Sequence, residues 1–247
     1  MAAIDEKYHK LLQSILDNGF KYEDPNRKGI NRIQIPHYQF KHDFKDGFPA
    51  ITTKQLYWKG VVGELLWILR GDTNIKYLVD NNINIWNKDA YNYYLKNTTG
   101  VKVKFEKWLE EFKYYSKTND HLKLTNINGD IGRGYGAQLR NWQDYNTWSD
   151  DDSEDPSYTT EIQYLDQFAE LINTLKTNPM ATKKTVTFWN PTEKDECALT
   201  PCHWSFEILV EPIIYKMTTP IGINIESYPM FDEPQYQFTL KWHQRSV

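Results

Sequence analysis

The sequence predicts an α+β fold, a predominantly antiparallel or mixed β-sheet backed by helices, and three observations carry that reading. Helical and strand-like periodicities follow one another irregularly instead of repeating as βαβ units. Three strand-like stretches gather in the C-terminal part: "KKTVTFWN" (183–190), "CHWSFEILV" (202–210) and "YQFTLKWHQR" (236–245). Hydrophobic residues make up 40% and aromatic residues 15%, with 9 Trp and 17 Tyr, so a sizeable core is expected and disorder is not. The 247 residues contain no Pro/Gly/Ser-rich linker, which predicts one domain over 1–247.

In chain order, residues 6–18 place Tyr8, Leu11, Leu12, Ile15 and Leu16 at helical spacing, and Gly19 follows as a stop. "RIQIPHYQFKHDF" (32–44) alternates apolar and polar residues as a strand does, up to the turn residues Asp46, Gly47, Phe48 and Pro49. "WKGVVGELLWIL" (58–69) is apolar on nearly every side and predicts a buried helix, with Glu64 in its middle. Residues 91–128 turn polar and Lys/Tyr/Asn-rich around a short helix at "FEKWLEEFKYY" (105–115), the pattern of an insertion or small subdomain. The glycine-punctuated "GDIGRGYGAQLRNW" (129–142) and the acidic "SDDDSEDPS" (149–157), read as a solvated surface turn, come next. Leu165, Phe168, Ala169, Ile172 and Leu175 then mark a helix over 163–176.

Charge and composition bound the function classes. The net charge is -4, with 29 basic and 33 acidic residues, and the basic residues are scattered, so no nucleic-acid coat is expected; a local cationic pocket for one phosphate is compatible with this pattern. The N-terminal "MAAIDEKYHKLLQ" has no signal-peptide pattern, and no apolar run approaches membrane-spanning length, so a cytoplasmic protein without a membrane partner is expected. Two cysteines make no disulfide framework, and without further Cys or clustered His no metal is expected.

Several residues are candidates for chemistry. Cys202 stands between Pro201 and His203, and Arg245 lies on a nearby strand candidate. A guanidinium beside the thiol would lower its pKa and make a nucleophile; a small apolar core residue is the other reading. Glu64 among Gly63, Leu65, Leu66 and Trp67 is either on a polar stripe or a buried carboxyl with a raised pKa, suited to proton relay. Arg27 on a polar turn and the pair Lys183 and Lys184 suit an anion or a solvated surface. Tyr135 between Gly134 and Gly136 suits ligand contact or packing.

Six ordered stretches together resemble the thymidylate synthase family: "DGFPAITTK" (46–54), "GELLWILRGDTNIKYL" (63–78), "NNINIW" (81–86), "GDIGRGYGAQLRNW" (129–142), "ALTPCHW" (198–204) and "HQRS" (243–246). The resemblance runs from about residue 8 to the end. It implies a methyltransferase that methylates dUMP at C5, giving dTMP. The co-substrate 5,10-methylenetetrahydrofolate supplies the one-carbon unit and a hydride, and no metal takes part. By resemblance Cys202 attacks C6 of the uracil, Glu64 organises proton transfers, Tyr135 serves the network that removes the C5 proton, and His203 supports the water beside the ring. Arg27, Arg245 and Ser246 match phosphate-holding residues, Arg245 also the arginine that touches the nucleophile. Ile85 and Trp86 match the folate wall.

Three departures accompany the resemblance. Lys183 and Lys184 stand where the family has two arginines that cross a homodimer interface to the partner's phosphate, so the charge is kept and bidentate geometry lost. Asp89 stands where a second folate-wall tryptophan is often found. The chain stops at "HQRSV" where the family continues into base-reading and sugar-binding motifs, so it is expected to be a truncated or split portion, inactive or very poor alone. The residue that distinguishes dUMP from dCMP lies in that further segment. A nucleotide hydroxymethylase acting on dCMP or dUMP, and a non-catalytic homologue that keeps the fold, therefore remain as alternatives.

Overall fold

Aromatic side chains organise the interior. In the computed structural model, which describes residues 2–25, 28–118, 120, 123–124, 127–149, 158–213, 215–218, 224–227 and 236–244, the chain forms two compact units, Met1–Trp58 and Lys59–Val247.

The first unit holds helix α1 (Ala3–Asn18), the antiparallel hairpin β1 (Phe20–Glu23) and β2 (Asn31–Gln34), and a 3-10 turn at Phe44–Asp46. Phe20 pairs with Gln34 and Glu23 with Asn31. α1 begins before the apolar stripe does, because Asp5 caps it: its carboxylate accepts the Ala2 amide at 2.9 Å. The same buried carboxylate accepts the Thr52 hydroxyl, which does most to hold it well below the usual carboxylate range, together with the Thr52 amide at 2.7 Å and the Thr53 amide and hydroxyl. The alternating run 32–44 gives only the short β2, since Pro36 has no N–H to donate to a ladder. β1 carries no apolar alternation that would announce it.

The second unit is built from α2 (Trp58–Leu69), whose first residue belongs to the first unit, α3 (Lys76–Asp80), α4 (Asn87–Asn97), α5 (Phe105–Thr118), α6 (Tyr135–Arg140), the hairpin β3 (Trp142–Ser149) and β4 (Tyr158–Leu165), and α7 (Gln167–Thr177). A three-stranded antiparallel sheet follows, in the order β5 (Thr185–Thr187), β6 (His203–Pro212), β9 (Tyr236–Gln244). The hairpin β7 (Tyr215–Thr218) and β8 (Asn224–Ser227) sits in the connection between β6 and β9. Helices beside small antiparallel sheets make the architecture α+β.

The core gathers Trp67, Ile75, Leu78, Trp108, Phe112 and Val186, all fully buried. Segment 91–128, expected as an insertion or small subdomain, sends Tyr91, Tyr94, Trp108 and Phe112 into this same cluster, with Trp108 and Phe112 stacked at 5.5 Å. Helix α2 has the predicted bounds but not the predicted burial. Gly60, Gly63 and Trp67 face inward, while Val61, Val62, Leu65 and Leu66 are 36–51% exposed. The expected helix over 163–176 starts later, at Gln167, because Asp166 accepts the Ala169 amide at 2.8 Å as its cap and residues up to Leu165 pair in β4. Its buried anchor is Leu171. The expected surface turn at 149–157 lies, apart from Ser149, outside the described residues.

The pairing of β6 with β9 carries one irregularity. His203 pairs with Gln244 but Ser205 pairs with His243, so Trp204 is an extra residue, a β-bulge. Strand residues alternate faces, and without the bulge His203 would stand with Ser205. The extra residue turns His203 to the Phe206 and Trp242 face, where its ring lies 5.3 Å from that of Trp242, and turns Trp204 onto His243, at 4.9 Å.

Candidate active site

Tyr135 opens α6, and its placement rests on Gly136. A Cβ at Gly136 would come within 2.3 Å of the Asp72 carbonyl oxygen, so only glycine lets this helix start so close to the turn after α2. Tyr135 is buried, with its ring edge-on to Trp86 at 6.3 Å and to Phe188 at 5.5 Å. Its hydroxyl oxygen accepts the backbone N–H of Cys202 at 2.7 Å and that of His203 at 3.4 Å. With both lone pairs engaged, the Tyr135 hydroxyl proton is left to donate elsewhere. Burial raises the phenol's pKa, and the nearby Cys202 and Glu64 act in the same direction.

Glu64 projects from α2 and accepts the indole N–H of Trp86 at 2.7 Å. Trp86 is itself wedged between Trp67, at 5.7 Å, and Tyr135. Burial pushes the Glu64 carboxyl above its ordinary value, and the Trp86 bond opposes it. Of the two readings for Glu64, the structure gives the partly buried carboxyl, held beside Tyr135 through Trp86. Such a group is suited to taking and returning a proton.

Cys202 immediately precedes β6 and is half-buried, with its thiol directed to the Thr200 carbonyl at 3.9 Å. Cys197 contrasts with it: the side chain is buried, donates to the Lys194 and Leu199 carbonyls, and has its pKa raised by burial. His203, half-buried and tilted against Tyr135 at 6.0 Å, accepts the Trp242 indole N–H on Nδ1 at 2.9 Å, and burial lowers its pKa. The structure thus gathers Cys202, His203, Tyr135, Glu64 and Trp86 into one cluster, from four separate regions of the sequence. A half-exposed thiol next to an imidazole, and a phenol that reaches both the thiol's backbone and a partly buried carboxyl, support nucleophilic attack coupled to proton transfer.

Other predicted site residues fall elsewhere. Arg27, Arg245 and Ser246 lie outside the described residues, and with them the expected Cys202–Arg245 proximity. Lys184 is buried, and its ammonium donates to the Pro179 and Ala181 carbonyls, so it clamps the turn after α7 and is not offered to a ligand; Lys183 is exposed. Ile85 is exposed, whereas Trp86 is packed inside and donates to Glu64 instead of forming an open wall. Asp89 is half-buried on α4, with its pKa raised by burial. Among the described residues no group of three or more His, Cys, Asp or Glu is placed to hold a metal ion, and no helix is long and apolar enough to cross a membrane.

Two features escaped the sequence reading. Trp242 looks there like any apolar residue of an alternating strand. Beside α6, the Glu193 carboxylate receives Arg133 at 2.7 Å, Gln138 at 2.6 Å and Asn190 at 3.1 Å, a buried polar network next to the helix that carries Tyr135. Arg133 and Gln138 lie more than 50 residues from Asn190 and Glu193, so the pairing of the two halves leaves no local signal.

The family model described as thymidylate synthase matches residues 6–247. Among curated proteins, the thymidylate synthases of Mesoplasma florum and Mycoplasma genitalium are each 35% identical over 206 residues, covering 83% of this chain and 62% of the relative. That of Listeria monocytogenes is 33% identical over 222 residues, covering 83% of this chain and 65% of the relative. The chain therefore spans less than two thirds of the length of these relatives.

Proposed function

This chain belongs to the thymidylate synthase family, and from that premise we propose that it carries the nucleophile-bearing portion of an enzyme that converts dUMP to dTMP with 5,10-methylenetetrahydrofolate. The observation that carries the reading is the joint hold of Tyr135 on the Cys202 and His203 amides, with Glu64 and Trp86 on the other side of the same phenol. In this reading the Cys202 thiolate forms a bond to C6 of the uracil, and the electron pair moves to C5, which becomes the nucleophile toward the folate one-carbon unit. Tyr135 and Glu64 serve removal of the C5 proton, and Ile85 bounds the folate.

The single family match through both compact units supports one domain over 1–247. We place the enzyme in the cytoplasm as a homodimer. The exposure of Lys183, against the inward clamp of Lys184, supports Lys183 alone as the cation offered to a partner's nucleotide phosphate. Arg27, Arg245 and Ser246 take the phosphate of the chain's own nucleotide by resemblance.

The test uses the full gene product with 5-fluoro-dUMP and methylenetetrahydrofolate. Fluorine at C5 cannot leave as a cation, so the reaction halts with the nucleotide bonded to sulfur. Intact mass should show one nucleotide and one folate added, mapped to Cys202 and absent from Cys202→Ser. No adduct on the wild-type protein sinks the reading and favours a non-catalytic homologue. A dUMP product carrying an added hydroxymethyl group assigns the hydroxymethylase chemistry instead.

A further inference from the structure

We propose that Trp242 is a positioning residue that fixes His203 as the neutral imidazole with its proton on Nε2, and so makes His203 a hydrogen-bond donor beside Cys202. The tautomer stands on geometry alone; its use in the reaction rests on the reading of Cys202 as nucleophile.

An indole N–H can only donate. Its partner 2.9 Å away, Nδ1 of His203, must therefore present a bare lone pair. A neutral imidazole with Nδ1 bare carries its one proton on Nε2, and an imidazolium would set two N–H groups against each other. Ring contacts hold the donor residue, which is 46% exposed. Trp242 stacks on Phe206 with ring centres 5.4 Å apart and planes 6° from parallel, and Phe188 lies 6.2 Å away. Phe206 is directly opposite Trp242 in the ladder, so the stack follows from register. The Trp204 bulge completes the device by turning His203 to the Trp242 face. The lowered pKa of the half-buried imidazole points the same way.

A locked Nε2–H gives the site a donor that needs no proton uptake, fit to hold a water or a carbonyl oxygen of a bound pyrimidine as negative charge develops there.

The experiment is two-bond 1H–15N correlation NMR on the 15N-histidine-labelled protein near pH 7, with His203 assigned by its loss in His203→Asn. The wild type should show Nδ1 as the bare, pyridine-type nitrogen and Nε2 as the protonated one. Trp242→Phe keeps the ring and removes the donor, and should give a mixed tautomer pattern. Phe206→Leu removes the stacking partner and keeps the donor, and should disturb the pattern less than Trp242→Phe does. In the full gene product, Trp242→Phe should lower kcat about tenfold, the worth of one hydrogen bond in the transition state, with KM for the nucleotide little changed. A protonated Nδ1 in the wild type, an unchanged pattern in Trp242→Phe, or a larger loss of the pattern in Phe206→Leu than in Trp242→Phe would overturn the proposal. If the tautomer is as stated while no adduct forms on Cys202, the lock stands and the enzymatic reading falls.

Discussion

The phenol oxygen of Tyr135 accepts the backbone N–H of Cys202 at 2.7 Å, so the first residue of α6 fixes the main chain of the thiol-bearing residue 67 positions later. Tyr135→Phe retains the ring between Trp86 and Phe188 and strips both amides of their acceptor. Half-buried donors left unpaired cost about 1–3 kcal/mol, and urea unfolding should show a loss of that size. A variant as stable as the wild type would show that water replaces the phenol.

Glu64 makes a pH prediction whose sign is fixed by burial. The unfolded chain releases this proton near pH 4.3, and the native state holds it to higher pH. Between the two, the unfolded state binds fewer protons, so this group's contribution to stability falls as pH rises through the window and is flat above it. Trp86→Phe removes the opposing hydrogen bond and should extend the falling limb upward in pH; Glu64→Gln should abolish it. Denaturant unfolding from pH 4 to 8 checks this, and a Trp86→Phe effect that is the same at every pH would contradict it.

The two thiols should separate under alkylation. Cys202 is half-buried, whereas Cys197 is buried, donates to two carbonyls and has a raised pKa. Limiting iodoacetamide at pH 7.5 followed by peptide mass spectrometry should find Cys202 modified first. Equal labelling would indicate local opening around Cys197.

Removing the Arg133 guanidinium leaves Glu193 buried against amide donors only. Arg133→Met should cost about 3 kcal/mol, as breaking a buried ion pair from one side does, and adding Glu193→Gln should recover part of it. Chemical denaturation of the two variants measures both. Full additivity would deny the coupling.

Asp5 acts in the opposite sense to Glu64. Its native pKa is depressed by the Thr52, Thr53 and Ala2 bonds, so its stabilisation is present above the unfolded value of about 3.9 and is lost as pH falls through the native one. Asp5→Asn should destabilise at neutral pH and flatten the acid limb of the unfolding curve. An unaltered acid limb would place the dependence on other carboxylates.

Much of the fold was legible because period and punctuation are local. α1 and α2 appear where their apolar residues and Gly19 place them; β5 and β9 lie inside the predicted runs, and β6 continues past its run to Pro212. The environment of α2 was not legible. Apolarity on every side announces a helix but does not say which face is covered, and Val61, Val62, Leu65 and Leu66 remain open. β3 and β4 were missed because an exposed hairpin needs no apolar face: every residue of β4 is exposed. At the site, Cys202, Glu64, Tyr135 and His203 are visible as residue types in motifs. Trp242 and the inward turn of Lys184 are not, since each depends on a partner that only the folded chain supplies.

The ladder from His203 opposite Gln244 to Pro212 opposite Tyr236 sets the cluster and the connection 213–235 at opposite ends of about 27 Å of strand. The hairpin carried there is attached where the site cannot feel its length, because register is pinned by the pairs between. The β6–β9 connection is a natural graft point: a tag, an epitope or a second binding loop can be spliced into it, and the thiol at the other end keeps its geometry.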